Sequence, residues 1–366
     1  MTGLGTVLGH RVVVCAGSGG VGKTTTAAAI GLHAARQGKK AVVLTIDPAL
    51  RLADALGLAG LEPGREVLVR QEGEGSLVAL MLDAKGAWDA LVERFTPNPE
   101  VRDRILANRF YRHLSESFAG SQEYMAIEQL CSLRQSGRFD LIVVDTPPSQ
   151  HALDFLEAPD RLARFLDRKI VRWFVRPYVA AGWSAFRVAN RTARFVLERL
   201  EEATGVSVLL EISEFFTGMA GLFEGFQERV ERAYELFRAR ETAFVLVTSA
   251  EEPVLCQAEY LHGRMRELSI PLRAVVFNRI HREFDTGPLR GAGEQTLREL
   301  VGPESAARLL RNFDDYERLA RGEGVRMDAF RRQLGRRVAV AIVPNFETDV
   351  HDLGGLERMA GFLFPS

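Results

Sequence analysis

Residues 17–24 read Gly-Ser-Gly-Gly-Val-Gly-Lys-Thr, a G-x-x-x-x-G-K-T pattern set directly after the β-branched run at 11–16 and directly before the helix-forming run at 25–36. Glycines at this spacing let successive backbone N–H groups turn inward around phosphate oxygens, and the helix that follows aims its positive end at the same point. The candidate nucleotide-binding loop is Gly17, Ser18, Gly19, Gly20, Val21, Gly22, Lys23, Thr24 and Thr25. Within it Lys23 is the cation for β- and γ-phosphates, and the Thr24 hydroxyl is a candidate Mg2+ ligand. ATP or ADP with Mg2+ is therefore the expected ligand. Two carboxylates end later strand-like runs: Asp47 follows Ala-Val-Val-Leu-Thr-Ile, and Asp145 follows Leu-Ile-Val-Val. In a parallel sheet both stand at the carboxyl edge, where ligands bind in such folds. Asp145 is placed to hold Mg2+, directly or through water, and Asp47 to orient an attacking water, so that both Asp47 and Lys23 are candidate catalytic residues. Either aspartate alone is also an ordinary helix or turn cap, and it is the phosphate loop that gives the pair its chemical meaning.

The elements that must position these residues are legible as short β-branched runs at 11–16, 40–47, 76–83, 139–146, 243–250, 272–279 and 336–344. Helical periodicity between most of them predicts an α/β fold, a mainly parallel sheet covered by helices on both faces. The chain reads as a single domain over 1–366. The stretch 147–242 contains no strand run, and a helical insertion is expected over 156–240. Smaller helical excursions are expected over 84–138 and 285–333. At 366 residues and a formal charge of −1 the chain carries no net field that would draw it to nucleic acid, and no nucleic-acid partner is expected. Lysine occurs only at 23, 39, 40, 85 and 169 against a large excess of arginine, so Lys23 marks a position where arginine does not serve. Cys15, Cys131 and Cys256 form no CxxC pair and specify neither a disulfide framework nor a zinc site. With no long uncharged apolar run and no leader-like start, a cytoplasmic location is expected.

Three segments together carry a family resemblance: the loop at 17–25, Thr-Ile-Asp-Pro-Ala-Leu-Arg from 45, and Asp-Thr-Pro-Pro-Ser-Gln-His-Ala-Leu from 145. They resemble the phosphate loop, first switch and second switch of the ArsA/Get family, which comprises arsenite-pump ATPases and ATPases that deliver tail-anchored membrane proteins. The resemblance implies a P-loop NTPase fold with a deviant Walker A motif, ATP hydrolysis, and a nucleotide-driven dimer. It also implies that Asn278, in Val-Val-Phe-Asn-Arg, stands where the family recognises adenine, and that the loop from Pro344 closes over the nucleotide.

Two departures matter. The family loop usually reads G-K-G-G-x-G-K-T, and its first lysine reaches the neighbouring subunit's phosphates; Ser18 takes that place here and carries no charge. Paired cysteines found in some members for zinc or arsenite are missing as well. The partner is then a second copy, with slow turnover or with an arginine such as Arg51 acting instead, or a paralogous ATPase that keeps the lysine.

In the insertion, Leu162, Phe165, Leu166, Ile170, Trp173 and Phe174 share one helical face, while Arg164, Arg168, Arg172 and Arg176 form a stripe on another. From 206 to 238, Phe215, Met219, Phe226, Val230 and Phe237 belong to a wide apolar face broken by Gly218, Gly221 and Gly225. Such faces either pack on one another and across a dimer, or receive a hydrophobic client helix or a membrane surface, as the resemblance implies. The alternative to an active ATPase is a weakly hydrolysing ATP-binding adaptor or regulatory subunit.

Overall fold

Valine-rich runs with few polar atoms are driven to the middle of a sheet covered on both faces, and all seven expected runs become strands. A computed structural model describes residues 3–146 apart from positions 48, 97, 110, 113–114 and 116–120, together with 157–158, 226–284 and 292–365. The strands are β1 (Val12–Ala16), β2 (Lys40–Thr45), β3 (Glu66–Glu72), β4 (Gly75–Met81), β5 (Leu141–Asp145), β6 (Thr242–Thr248), β7 (Leu272–Ile280) and β8 (Ala339–Pro344). They form one eight-stranded sheet in the order β3-β4-β2-β5-β1-β6-β7-β8. Every pairing is parallel except β3 with β4.

The additional strand, β3, was not among the expected runs. It pairs antiparallel with β4 across the two residues Gly73 and Glu74, and it lies at the edge of the sheet. Its polar residues Glu66, Arg70, Gln71 and Glu72 give it half-exposed character rather than the continuous burial of the central strands.

Alternation of side chains along β1 feeds two apolar layers. Val12, Val14 and Ala16 face one of them, Val13 and Cys15 the other. The second layer is closed by α1 (Lys23–Arg36), α2 (Arg51–Leu56) and α10 (Leu353–Leu363). The first is covered by α3 (Ala84–Phe95), α4 (Pro99–Ala107), α5 (Ser121–Ser136), α6 (Phe226–Arg238), α7 (Glu252–Glu267) and the long α9 (Pro303–Gln333), which α8 (Ala292–Val301) precedes. Helices therefore do occupy the described parts of 84–138 and 285–333.

Residues 147–156 of the second switch and positions 159–225 of the insertion lie outside the described residues, and with them the arginine stripe and most of the apolar face. At the described end of that face, Val230 and Phe237 are buried, and Phe237 meets Phe244 of β6 edge to face at 5.7 Å. Here the apolar face packs on the sheet.

Candidate functional site

The register of three neighbouring strands assembles the site. Asp145, the last residue of β5, lies beside Cys15 of β1 and Thr45 of β2. The carboxyl ends of these strands are thus level, and the loops that leave them meet at one edge of the sheet. The turn from β1 into α1 has positive φ at Gly17 (+153°), Gly20 (+76°) and Gly22 (+91°), a backbone that glycine adopts without strain. Two of these glycines are required by space as well. A Cβ on Gly17 would stand 2.1 Å from the Val247 carbonyl oxygen, and one on Gly22 would stand 2.3 Å from Asn278 Nδ2.

Lys23 begins α1 and its side chain is buried; Nζ donates to the Ser18 carbonyl at 2.7 Å. Burial pushes its pKa down, opposed by the attraction of Asp145 and Asp47. Thr24 Oγ1 donates to Asp145 Oδ2 at 2.7 Å, and Thr45 Oγ1 donates to the same oxygen at 3.0 Å. Asp145 is fully buried, and that burial raises its pKa to about 6, although the two threonine hydrogen bonds and Lys23 pull it back. Asp47 is buried as well. Its Oδ1 accepts from Ala49 N at 3.0 Å, and Arg51 Nη1 lies 3.2 Å from Oδ2.

Several of these residues border a cavity of about 500 Å3. Gly19, Gly20, Gly22, Lys23, Thr24, Thr25 and Asp47 line one side, and Asn278, Arg279, Pro344, Asn345 and Phe346 line another. The structure thus brings together both motif carboxylates, the lysine and the two late segments, with Asp145 behind Thr24. Gly17, Ser18 and Val21 do not line the cavity. Gly17 packs on Val247, the Val21 carbonyl accepts from Asn278 Nδ2 at 2.8 Å, and Ser18 Oγ donates to Gln257 Oε1 at 2.6 Å. Asn278 therefore touches the loop itself, in addition to facing the cavity. Sequence reasoning missed Thr45, Arg279 and Gln257. Thr45 alone carried a signal, since it closes the β2 run two positions before Asp47.

The donors suit a hard divalent cation. Asp145 Oδ1 and Asp47 Oδ2 are buried and accept no hydrogen bond; Asp145 thus keeps lone pairs unspent beside the Thr24 hydroxyl, while Asp47 Oδ2 has the Arg51 guanidinium at 3.2 Å. Backbone N–H groups from the loop and a buried ammonium on the same cavity suit a polyphosphate.

The sequence model of the anion-transporting ATPase family matches residues 10–288. Among curated relatives, the chain is 26% identical over 269 residues to the ATPase GET3 of Malassezia globosa, covering 73% of this chain and 72% of that protein. It is 25% identical over 295 residues to the ATPase GET3 of Kluyveromyces lactis, covering 76% and 74%. A protein assigned by name to the arsenical pump-driving ATPases in Aquifex aeolicus is 23% identical over 278 residues, covering 74% of this chain and 63% of that one.

Proposed function

Because this chain belongs to the anion-transporting ATPase family, and is an ATPase by that membership, we propose that it binds ATP in the cavity at the carboxyl edge of the sheet and transfers the γ-phosphoryl group to water. The observation that carries this is the meeting of the glycine loop, Lys23, the Thr24–Asp145 pair and Asp47 around one cavity. Backbone N–H groups between Gly19 and Thr25 surround phosphate oxygens. Lys23 leaves the Ser18 carbonyl or shares it, and neutralises charge on the β- and γ-phosphates. Thr24 and Asp145 would hold Mg2+, directly or through water, and the bound ion would offset charge on the phosphates. Asp47, whose Oδ2 accepts no hydrogen bond but is paired with Arg51 at 3.2 Å, accepts from the attacking water and fixes its line of approach, with Arg51 beside it on the cavity. Asn278 and Pro344 line the cavity, and in this reading they receive the adenine.

In the same reading the protein works as a dimer, and the bound nucleotide sets the conformation of the 156–240 insertion, which receives a hydrophobic protein helix or lies against a membrane. Among the described residues no helix is long and apolar enough to cross a membrane itself.

A weakly hydrolysing adaptor is the second reading, and Ser18 favours it. Its hydroxyl is engaged by Gln257 of the same chain and carries no charge for a neighbour's phosphates. Arg51 is the substitute cation on the cavity, and to act across a dimer it has to leave Asp47. A paralogous partner that keeps the lysine supplies the charge to this chain's site alone.

Calorimetry with Mg2+ and ATP tests the site: Lys23→Ala is expected to abolish measurable binding or weaken it at least about a hundredfold, as the loss of a buried charge-assisted contact implies. Unchanged affinity refutes the assignment. Turnover of the pure chain, compared with Ser18→Lys, separates the two readings; slow turnover that Ser18→Lys accelerates supports the adaptor.

A further inference from the structure

The phosphate loop is held from three elements. Gly17 is pressed against the Val247 carbonyl of β6, and the Val21 carbonyl accepts from Asn278 of β7. The third contact, Ser18 Oγ to Gln257 Oε1, comes from the second turn of α7. The first two secure the loop near its ends. Ser18 lies between them, and its carbonyl accepts the Lys23 ammonium. Among the described residues, Lys23 Nζ makes no other hydrogen bond to the protein.

We propose that Gln257 is a positioning residue for this loop: by accepting the Ser18 hydroxyl it orients the Ser18 peptide, and that peptide holds the Lys23 ammonium beside the cavity. The proposal rests on reading the cavity as an ATP site. A glycine-rich segment has little intrinsic preference for one backbone geometry, so a side-chain tether decides how much of the time the loop is correctly formed. Ser18 and Val21 are the only loop residues before Lys23 with side chains, and Val21 is buried in the apolar layer. Ser18 alone can tether through a polar group. Its anchor is a fixed post: Leu255, Ala258, Leu261 and Met265 of α7 are buried, and two turns beyond Gln257 on the same face Arg264 Nη2 donates to Glu157 Oε1 at 2.8 Å. The serine thereby acquires a role within its own chain, independent of any neighbouring subunit.

The test compares the full chain with Gln257→Leu, which has no acceptor, Gln257→Glu, which keeps one, Ser18→Ala, and the Ser18→Ala/Gln257→Leu double variant. Hydrogen exchange of the nucleotide-free protein reads loop opening at 17–23, and calorimetry with Mg2+ and a non-hydrolysable ATP analogue reads affinity. Gln257→Leu is expected to speed loop exchange and weaken the analogue by about three- to tenfold, the range for one neutral hydrogen bond, with the denaturation midpoint unmoved. Gln257→Glu stays near the parent in both. Ser18→Ala matches Gln257→Leu, and the double variant is no worse than either single one. Unchanged exchange in Gln257→Leu, or effects that add in the double variant, overturns the tether. An analogue that binds the parent and Lys23→Ala equally well overturns the ATP reading instead, and leaves the exchange result to judge the tether.

Discussion

Asp47 and Asp145 are both buried at the carboxyl edge, yet their surroundings differ. Asp145 spends one oxygen on two threonine hydroxyls and leaves the other unbonded, whereas Asp47 has one oxygen on a turn amide and the other 3.2 Å from Arg51 Nη1 at the cavity wall. Asp47→Asn is therefore expected to bind ATP nearly as the parent does while losing about 100-fold or more in turnover, the scale for removing a group that positions a nucleophile. Steady-state hydrolysis alongside calorimetry checks this, and normal turnover removes Asp47 from the mechanism. For Asp145 the consequence is thermodynamic. Its pKa is raised from 3.8 to about 6, so the folded protein holds that proton more tightly than the unfolded chain does. Its contribution to stability is then largest below about pH 4, declines as pH rises from about 4 to 6, and is flat above that. Without nucleotide or divalent cation, Asp145→Asn is expected to gain on the parent by about 3 kcal/mol across that window, at roughly 1.4 kcal/mol per pKa unit. Denaturant unfolding from pH 4 to 7 measures it; a constant difference contradicts the burial argument.

Among the elements, those whose burial is complete were the ones legible in the chain. β1 and β5 are apolar over almost their whole length because helices cover both their faces, and such runs declare themselves. β3 has one covered neighbour, an open edge and mixed polarity, so its only local signal was the Gly73-Glu74 turn. The phosphate loop and the two aspartates were likewise legible, being either contiguous or at strand ends. Gln257 was not, since its contact with Ser18 spans 239 positions and depends on how α7 is laid across the sheet. Edge position also gives β3 a testable property. Leu68 is 61% exposed there, and a lysine at such a place discourages pairing with another chain. Leu68→Lys is expected to leave unfolding free energy within about 0.5 kcal/mol of the parent and to lower light scattering at high protein concentration. A loss of several kcal/mol shows that the side chain is needed for packing.

At the scale of the whole molecule, strand order separates what sequence order joins. Val12 of β1 pairs with Ile142 on one side and Thr242 on the other, so the strand that leads into the phosphate loop sits between partners from distant parts of the chain. Such connections are slow to close because long loops must be ordered before any pairing rewards them. The contact of Gly22 with Asn278, and of Gly17 with Val247, has a consequence in time. At roughly 5–20 residues per second, the ribosome takes about 10–50 s between making the loop and making the asparagine that braces it. Throughout that interval a complete nucleotide motif is present without its supports. Nascent chains halted before β6 are expected not to retain ATP on a filter, while released full-length chains do. In the proposed reading the birth of the site is timed by its last brace, long after the loop itself has left the ribosome.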